Sequence, residues 1–182
     1  MTPFLERLAE GTVVFDGAMG TMLYARGVFL NRCFDELNLS NPGLVRQVHD
    51  EYLEAGADVL ETNTFGAHRF KLGPHGLEAQ VRKINREGAR IAREAAKGRA
   101  LVAGAIGPIG KPLAPIGNVR LEDARDAYRE QAEGLLDKVF VTSQRTGVGF
   151  GRLIDDLTKF GPTMANAGFS IDETIELMGE LN

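Results

Sequence analysis

Cysteine is almost absent from this chain. Cys33 is the one cysteine among 182 residues, so no internal disulfide can form. Cysteine and histidine also never occur together at the spacing of a structural zinc site. A single thiol is typical of proteins that work in a reducing compartment, and we expect a cytoplasmic protein.

Excess basic charge and long apolar runs are also missing. The chain has 21 lysines and arginines against 25 acidic residues, a net charge of -4, so nothing predicts a basic surface for nucleic-acid phosphates. No run approaches the roughly 20 apolar residues of a membrane span. The N-terminus also lacks the basic patch and apolar core of a signal peptide. We therefore expect no nucleic-acid partner, no membrane insertion and no secretion.

The residues that are present alternate between strand patterns and helix patterns. β-rich segments occur at 12–14, 57–64 and 100–106, and amphipathic helical segments at about 42–55, 77–96 and 121–135. Each strand segment is followed by a polar or glycine-rich loop and then by a helix. This alternation predicts an α/β fold built from parallel βα units with right-handed crossovers.

The loop after the first predicted strand is the strongest candidate for a binding site. Residues 16–21 read Asp-Gly-Ala-Met-Gly-Thr and follow a β-branched run that predicts a buried strand. The glycines allow a ligand to approach main-chain amides, and Asp16 adds a carboxylate beside them. This combination suits both ends of an amino acid. An ordinary turn in which Asp16 caps local amides is the alternative.

Three segments in this order and spacing resemble the homocysteine S-methyltransferase family. They are residues 16–21, 54–67 and 102–108, and residues 35–39 extend the likeness. Within the family, the sequence is most similar to the homocysteine-binding module of cobalamin-dependent methionine synthases. The resemblance covers residues 1–136.

The resemblance implies a TIM (β/α)8 barrel, of which residues 1–136 would form the first three βα units. Homocysteine would sit at the C-terminal ends of the strands, where this fold places its functional sites. Asp16 would contact the substrate ammonium, and nearby amides would receive the carboxylate. The implied substrate-binding residues are Asp16, Gly17, Ala18, Met19, Asn63 and Thr64. Glu61 either faces the same pocket or pairs with a neighbouring cation.

Zinc is expected for the intact family, but its ligands are missing from this sequence. Family members hold zinc with three cysteines, and Cys33 is not their counterpart. A free thiol has a pKa of about 8.5 and needs a metal or base to ionise near neutral pH. We therefore predict no metal site, no catalytic residue and no methyl transfer by this chain alone. Cobalamin and methyltetrahydrofolate would be bound only by other domains.

The three histidines are not at metal-ligand spacing. His49, His68 and His75 are each predicted to be a core or solvated residue.

The alternation of strands and helices stops near Leu136. Residues 137–182 contain helical patterns only and resemble a stretch of phage tail tape-measure proteins. We therefore predict two domains, an incomplete homocysteine-binding module at 1–136 and a helical tail of different origin at 137–182. The alternative function is a fragment of a phage tail assembly protein. Because three parallel strands leave sheet edges unpaired, self-association is also expected.

Overall fold

Short strands and longer helices alternate along the first three-quarters of the chain. The computed structural model describes residues 4–136, and the predicted helical tail at 137–182 lies outside them. The helices are α1 Phe4–Glu10, α2 Met19–Ala25, α3 Leu37–Ser40, α4 Pro42–Glu54, α5 Arg69–Leu72, α6 Val81–Ala96 and α7 Leu121–Leu135. The strands are β1 Val59–Glu61 and β2 Leu101–Ala103. Two 3-10 turns lie at Gly73–His75 and Glu78–Gln80.

The two strands are parallel, as the alternating pattern predicted. β1 pairs with β2 in a register that sets Val59 opposite Leu101. On the other side of β1, Phe15 forms a single parallel bridge with Val59. The amides of Asp58 and Val59 both donate to the Val14 carbonyl, at 2.8 and 3.2 Å. Three extended segments thus run side by side in the order of the sequence.

The prediction of a buried strand at 12–14 is wrong. Regular pairing is limited to the bridge at Phe15, and Val14 and Phe15 are 50% and 42% exposed. The reason is that this segment forms the edge of the sheet within residues 4–136. One side of it is paired with β1, and its side chains are only partly covered.

The other two strands are shorter than predicted. β1 ends at Glu61, because the Thr64 amide donates to the Thr62 carbonyl at 2.8 Å and the chain turns out of the ladder. β2 ends at Ala103, and beyond it the hydroxyl of Thr62 replaces backbone pairing by accepting from the Ala105 amide.

Helix α4 begins and ends where the sequence indicated. The Asn41 side chain accepts from the Leu44 amide at 3.4 Å, and Pro42 occupies the first turn. Gly56 follows the helix with a φ of 99°, a conformation that favours glycine. The face that carries Val45 and Val48 is fully buried.

Four helices lie where no helix was predicted, namely α1, α2 and the short helices α3 and α5. α1 precedes the first extended segment, and α2 begins directly after the Asp-Gly-Ala turn. The residue before α2 is Ala18, which makes no side-chain cap, so the usual start signal is missing. Helix α6 also begins later than predicted, since Glu78–Gln80 form a 3-10 turn before it.

The core lies between the sheet and the helices. One cluster combines residues of α2, α3, α4 and α6, with Leu23, Leu37, Val45, Val48 and Ile91 buried together. A second cluster packs Leu60 of β1 against the end of α6. This packing holds the C-terminal end of β1 beside the start of α2. Within residues 4–136, no helix is long and apolar enough to cross a membrane.

Candidate functional site

A cavity of about 570 Å³ lies where the first extended segment and β1 both end. The turn that leads into α2 forms one wall, and the residues that follow β1 form the other. All six predicted substrate-binding residues line it, namely Asp16, Gly17, Ala18, Met19, Asn63 and Thr64. Ala18 and Asn63, which are 45 positions apart in sequence, therefore line the same cavity at one end of the sheet.

Several lining residues were not selected from the sequence. These are Gly20, Phe34, Asp35, Thr62, Phe65, Gly66, Lys71 and Ala105, and Glu61, which had two interpretations, lines the same cavity. Asp35 could have been selected from the sequence, because it belongs to residues 35–39, which contributed to the family resemblance. Lys71 could not, because it lies in α5 and does not directly follow a predicted strand.

The Asp16 carboxylate is enclosed by protein. Its side chain is 2% exposed, and Oδ1 accepts from the Glu61 amide at 2.9 Å. Oδ2 lies 3.8 Å from Nδ1 of His49. Asp16 is therefore not a cap of local amides, as the alternative interpretation had it, because the amide that it binds belongs to β1.

The turn after Asp16 depends on glycine at position 17. A Cβ atom there would lie 2.7 Å from the hydroxyl oxygen of Tyr52, which projects from α4. Burial, followed by the Asp16 charge, raises the pKa of Tyr52. The Tyr52 ring thus packs closely against the backbone of the turn at Gly17. A side chain at this position would displace Tyr52 or the turn.

Thr62 and Thr64 form a closed ring of hydrogen bonds with Ala105. The Ala105 amide donates to the Thr62 hydroxyl at 3.0 Å, the two hydroxyl oxygens lie 2.5 Å apart, and the Thr64 hydroxyl donates to the Ala105 carbonyl at 2.8 Å. Thr64 is fully buried. Its hydroxyl therefore joins the ends of β1 and β2, and Thr64 forms part of the cavity wall.

The Asn63 amide nitrogen is also used within the protein. It donates to the Phe34 carbonyl at 2.8 Å and to Oδ1 of Asn38 at 3.1 Å. In return, Asn38 donates to the Asn63 carbonyl at 2.7 Å and to the Ile84 carbonyl at 3.2 Å. This pair of asparagines fixes the loop after β1 against α3 and α6.

Asp35 brings a further carboxyl group to the cavity, besides Asp16 and Glu61. Its Oδ1 accepts from the Gly66 amide at 2.9 Å, and the Cys33 thiol lies 3.9 Å from its Oδ2. Burial is the largest cause that raises the pKa of Asp35, and the Gly66 amide opposes it. A Cβ at position 66 would lie 2.8 Å from Oδ2, so glycine is needed there for the close approach.

Comparison with known proteins identifies the family. The model of the homocysteine S-methyltransferase family matches residues 13–141, which is most of the chain. This chain belongs to that family. The match supports the resemblance seen in the sequence, whereas no comparison supports the likeness to phage tail tape-measure proteins.

Two methionine synthases are among the relatives of this homocysteine S-methyltransferase family member. Those of Mycobacterium leprae (strain TN) and Mycobacterium tuberculosis (strain ATCC 25618 / H37Rv) are 37% and 36% identical to it over 148 residues. The alignments cover 75% of this chain but 12% of each relative. The chain thus spans about one-eighth of the length of these curated relatives.

The fold is α/β and similar to that of a solved homocysteine methyltransferase. The crystal structure of MmuM from Escherichia coli, metallated form, matches with a TM-score of 0.63 and 28% identity over 75% of this chain and 54% of that one. The apo form matches with a TM-score of 0.53 and 30% identity, over 71% and 47%. The described residues therefore correspond to about half of the MmuM chain.

The described residues of this family member do not fit a zinc site. A site with three cysteines cannot be built from Cys33 alone. Burial, with the Asp35 charge as the second cause, raises the pKa of the Cys33 thiol to about 11, so it is protonated near neutral pH. Within residues 4–136, no three side chains of His, Cys, Asp or Glu converge so as to hold a metal ion. No chemical step through zinc follows from these residues.

Two of the three histidines are core residues, and the third is exposed to solvent. His49 and His68 are fully buried, and His75 is exposed. His68 lies 3.3 Å from the Pro108 carbonyl, and burial lowers its pKa. It supports the loop after β2 and does not line the cavity.

Proposed function

We propose that residues 1–136 form the first three βα units of a (β/α)8 barrel and bind the amino-acid end of homocysteine in the cavity beside Asp16. The observation that carries the proposal is that six residues chosen from the sequence line a single cavity at the C-terminal end of β1. This is the end of the strands at which barrel enzymes bind their substrates. Residues 137–182 would be a separate helical segment.

Both charged ends of the amino acid have a complement in this cavity. The Asp16 carboxylate would bind the ammonium group, since charge-assisted hydrogen bonds to a carboxylate are among the strongest in proteins. The amides of Gly17, Ala18 and Met19 would receive the substrate carboxylate. Asn63 and Thr64 would shape the opposite wall, because their own polar groups hold the protein together.

The proposed activity of this chain by itself is binding without methyl transfer. Thiol chemistry at neutral pH requires an ionised sulfur, and the three zinc cysteines of the family have no counterpart in the sequence. In this proposal, cobalamin and methyltetrahydrofolate are bound only by other domains of a longer enzyme. Such an enzyme would act in methionine synthesis in the cytoplasm.

We also propose that the isolated chain self-associates. The first extended segment leaves one edge of the described sheet unpaired, and Phe29, Leu30 and Ile116 are 72%, 74% and 90% exposed. Sedimentation velocity over a range of concentrations should show a sedimentation coefficient that rises with concentration. A single monomeric boundary at every concentration would contradict self-association, without affecting the binding proposal.

Calorimetric titration with L-homocysteine tests the binding proposal. Asp16→Asn is the informative variant, because asparagine keeps an oxygen that can accept from the Glu61 amide but removes the negative charge. We expect it to weaken binding by about tenfold or more, since a hydrogen bond to a charged group is lost.

Asp58→Asn is the matched control. Asp58 also accepts a backbone amide from a neighbouring extended segment, but it lies at the opposite end of β1, outside the cavity. We expect this variant to bind homocysteine like the wild type. Equal affinity of the wild type and Asp16→Asn would contradict the role of Asp16, and no heat with the folded wild type would contradict the proposed function.

A further inference from the structure

His49 is a buried residue whose polar atoms have no partner. It lies on the inner face of α4, is fully buried, and neither ring nitrogen forms a hydrogen bond. Most buried polar side chains in proteins do have a partner, so an exception calls for an explanation. The polar atom that faces its Nδ1, at 3.8 Å, is Oδ2 of Asp16.

The position of His49 fits support of Asp16 better than metal binding. Within the described residues, no group of three possible ligands includes it. One turn further along α4, Tyr52 lies directly under Gly17. The same face of α4 therefore contacts both residues at the start of the binding turn. Asp16 is the titratable group next to His49, and Arg26 and Glu51 also act on Tyr52.

We propose that His49 is a positioning residue for Asp16. In this proposal, which rests on the proposed function, Nδ1–H of His49 donates to Oδ2 while the Glu61 amide holds Oδ1. Two donors from two different elements then fix the plane of the carboxylate, so that its remaining lone pairs face the substrate ammonium. The present separation closes to a normal hydrogen bond by an approach of about 0.8 Å.

The proposal predicts a particular loss of specificity when His49 is replaced. The measurement uses L-homocysteine and 4-sulfanylbutanoate, which is the same molecule without the α-amino group. The quantity of interest is the dissociation constant of 4-sulfanylbutanoate divided by that of L-homocysteine. Asp16→Asn should lower this ratio most. His49→Leu should lower it by about tenfold, because a hydrogen bond to a charged group is lost. His49→Asn should restore most of it, since the asparagine amide can donate from nearly the same place as Nδ1.

His68→Leu controls for the removal of a buried histidine in general. His68 is equally buried and also has an unpartnered Nδ1, but it contacts Pro108 and does not line the cavity. The ratio should stay at the wild-type value in this variant. Circular dichroism should first establish that each variant is folded. If folded His49→Leu keeps the wild-type ratio while Asp16→Asn loses it, the role of His49 is wrong and the proposed function stands.

A measurement without ligand tests the contact itself. Imidazole ¹⁵N NMR of the full-length chain should show His49 as the Nδ1–H tautomer, and Asp16→Asn should shift its Nδ1 resonance while the signals of His68 stay unchanged. A His49 signal of the other tautomer, or one that is insensitive to Asp16→Asn, would overturn the proposal. This readout remains decisive even if the wild type binds no homocysteine, in which case the proposed function fails separately.

Discussion

The two ends of β1 are built alike but lie in different surroundings. At its N-terminal end, Asp58 accepts from the Val14 amide at 3.0 Å and from the Arg7 guanidinium at 3.0 Å. At its C-terminal end, Asp16 accepts from the Glu61 amide at 2.9 Å. In each case a carboxylate on one extended segment accepts from a backbone amide of the neighbouring segment. These two bonds hold the edge segment to β1 where the ladder itself is short.

The difference lies in what surrounds the carboxylate oxygen that does not bind a backbone amide. In Asp58 this oxygen accepts from Arg7, whose side chain is 39% exposed, whereas in Asp16 it faces the fully buried His49. The Val14 amide, with Arg7, lowers the pKa of Asp58. Burial raises the pKa of Asp35, which lines the cavity at the opposite end. One end of β1 therefore carries a partly exposed ion pair between Arg7 and Asp58, and the other end carries an enclosed group of polar side chains.

The largest effect on stability is expected from Asn38→Ala. Its amide is the donor for the Asn63 and Ile84 carbonyls, both in buried surroundings. Removing it leaves these groups unpaired at the enclosed end of β1, and we expect a loss of about 3 kcal/mol in the free energy of unfolding. Urea denaturation measures this change.

Asn41→Ala is the control for the loss of an asparagine side chain. Asn41 caps α4 at an exposed position, and its removal should cost about 1 kcal/mol. If the two variants are equally stable, the enclosed end of β1 does not depend on its polar network.

Labelling of Cys33 tests how well the cavity end is closed. With a pKa of about 11, the folded thiol should react with iodoacetamide at pH 8 about a hundredfold more slowly than a free thiol of pKa about 8.5. Asp35→Asn should speed the reaction only moderately, because burial is the larger cause. A rate close to that of the denatured chain would mean that this end is open to solvent.

The smallest effects are expected from the two carboxyl groups with shifted pKa values. The folded pKa of Asp58 is lowered, so its contribution to stability is present above the unfolded value of about 3.9 and is lost as the pH falls below it. The folded pKa of Asp35 is raised, so its contribution is present at low pH and is lost as the pH rises through the folded value.

At pH 7, the two variants should therefore change the melting temperature in opposite directions. Asp58→Asn should lower it and Asp35→Asn should raise it, each by a few degrees at most. Calorimetric melting of both variants between pH 3 and pH 8 tests the signs. Shifts in the same direction would remove the contrast between the two ends of β1.

The local features of the fold were predictable from the sequence. Asn41, Pro42 and Gly56 marked both ends of α4, because caps and left-handed glycines act within a few residues. The parallel pairing of β1 and β2 followed from the alternation of strands and helices. The turn at Asp16 is predicted as a binding site because a glycine-rich loop directly follows a β-branched segment, and this turn does line a cavity.

The remaining features depend on contacts between distant residues. Helix α2 has no capping residue, and burial of Leu23 against other helices stabilises it instead. The bonds of Asn38 with Asn63, and the approach of His49 to Asp16, join positions 25 and 33 residues apart. No short-range pattern marks such pairs. For the same reason, the sequence could not show that the hydroxyl of Thr64 is engaged by Ala105.

Amide NMR of the full-length chain during titration with L-homocysteine shows residue by residue whether the ligand binds at the turn after Asp16. We expect the amide resonances of Gly17, Ala18 and Met19 to shift progressively and to saturate together with that of Asn63. The amide of Val14, at the Asp58 end of β1, should not move. Shifts confined to residues outside the cavity, or saturation without any change at positions 17–19, would contradict the claim that this turn binds the amino-acid end of homocysteine.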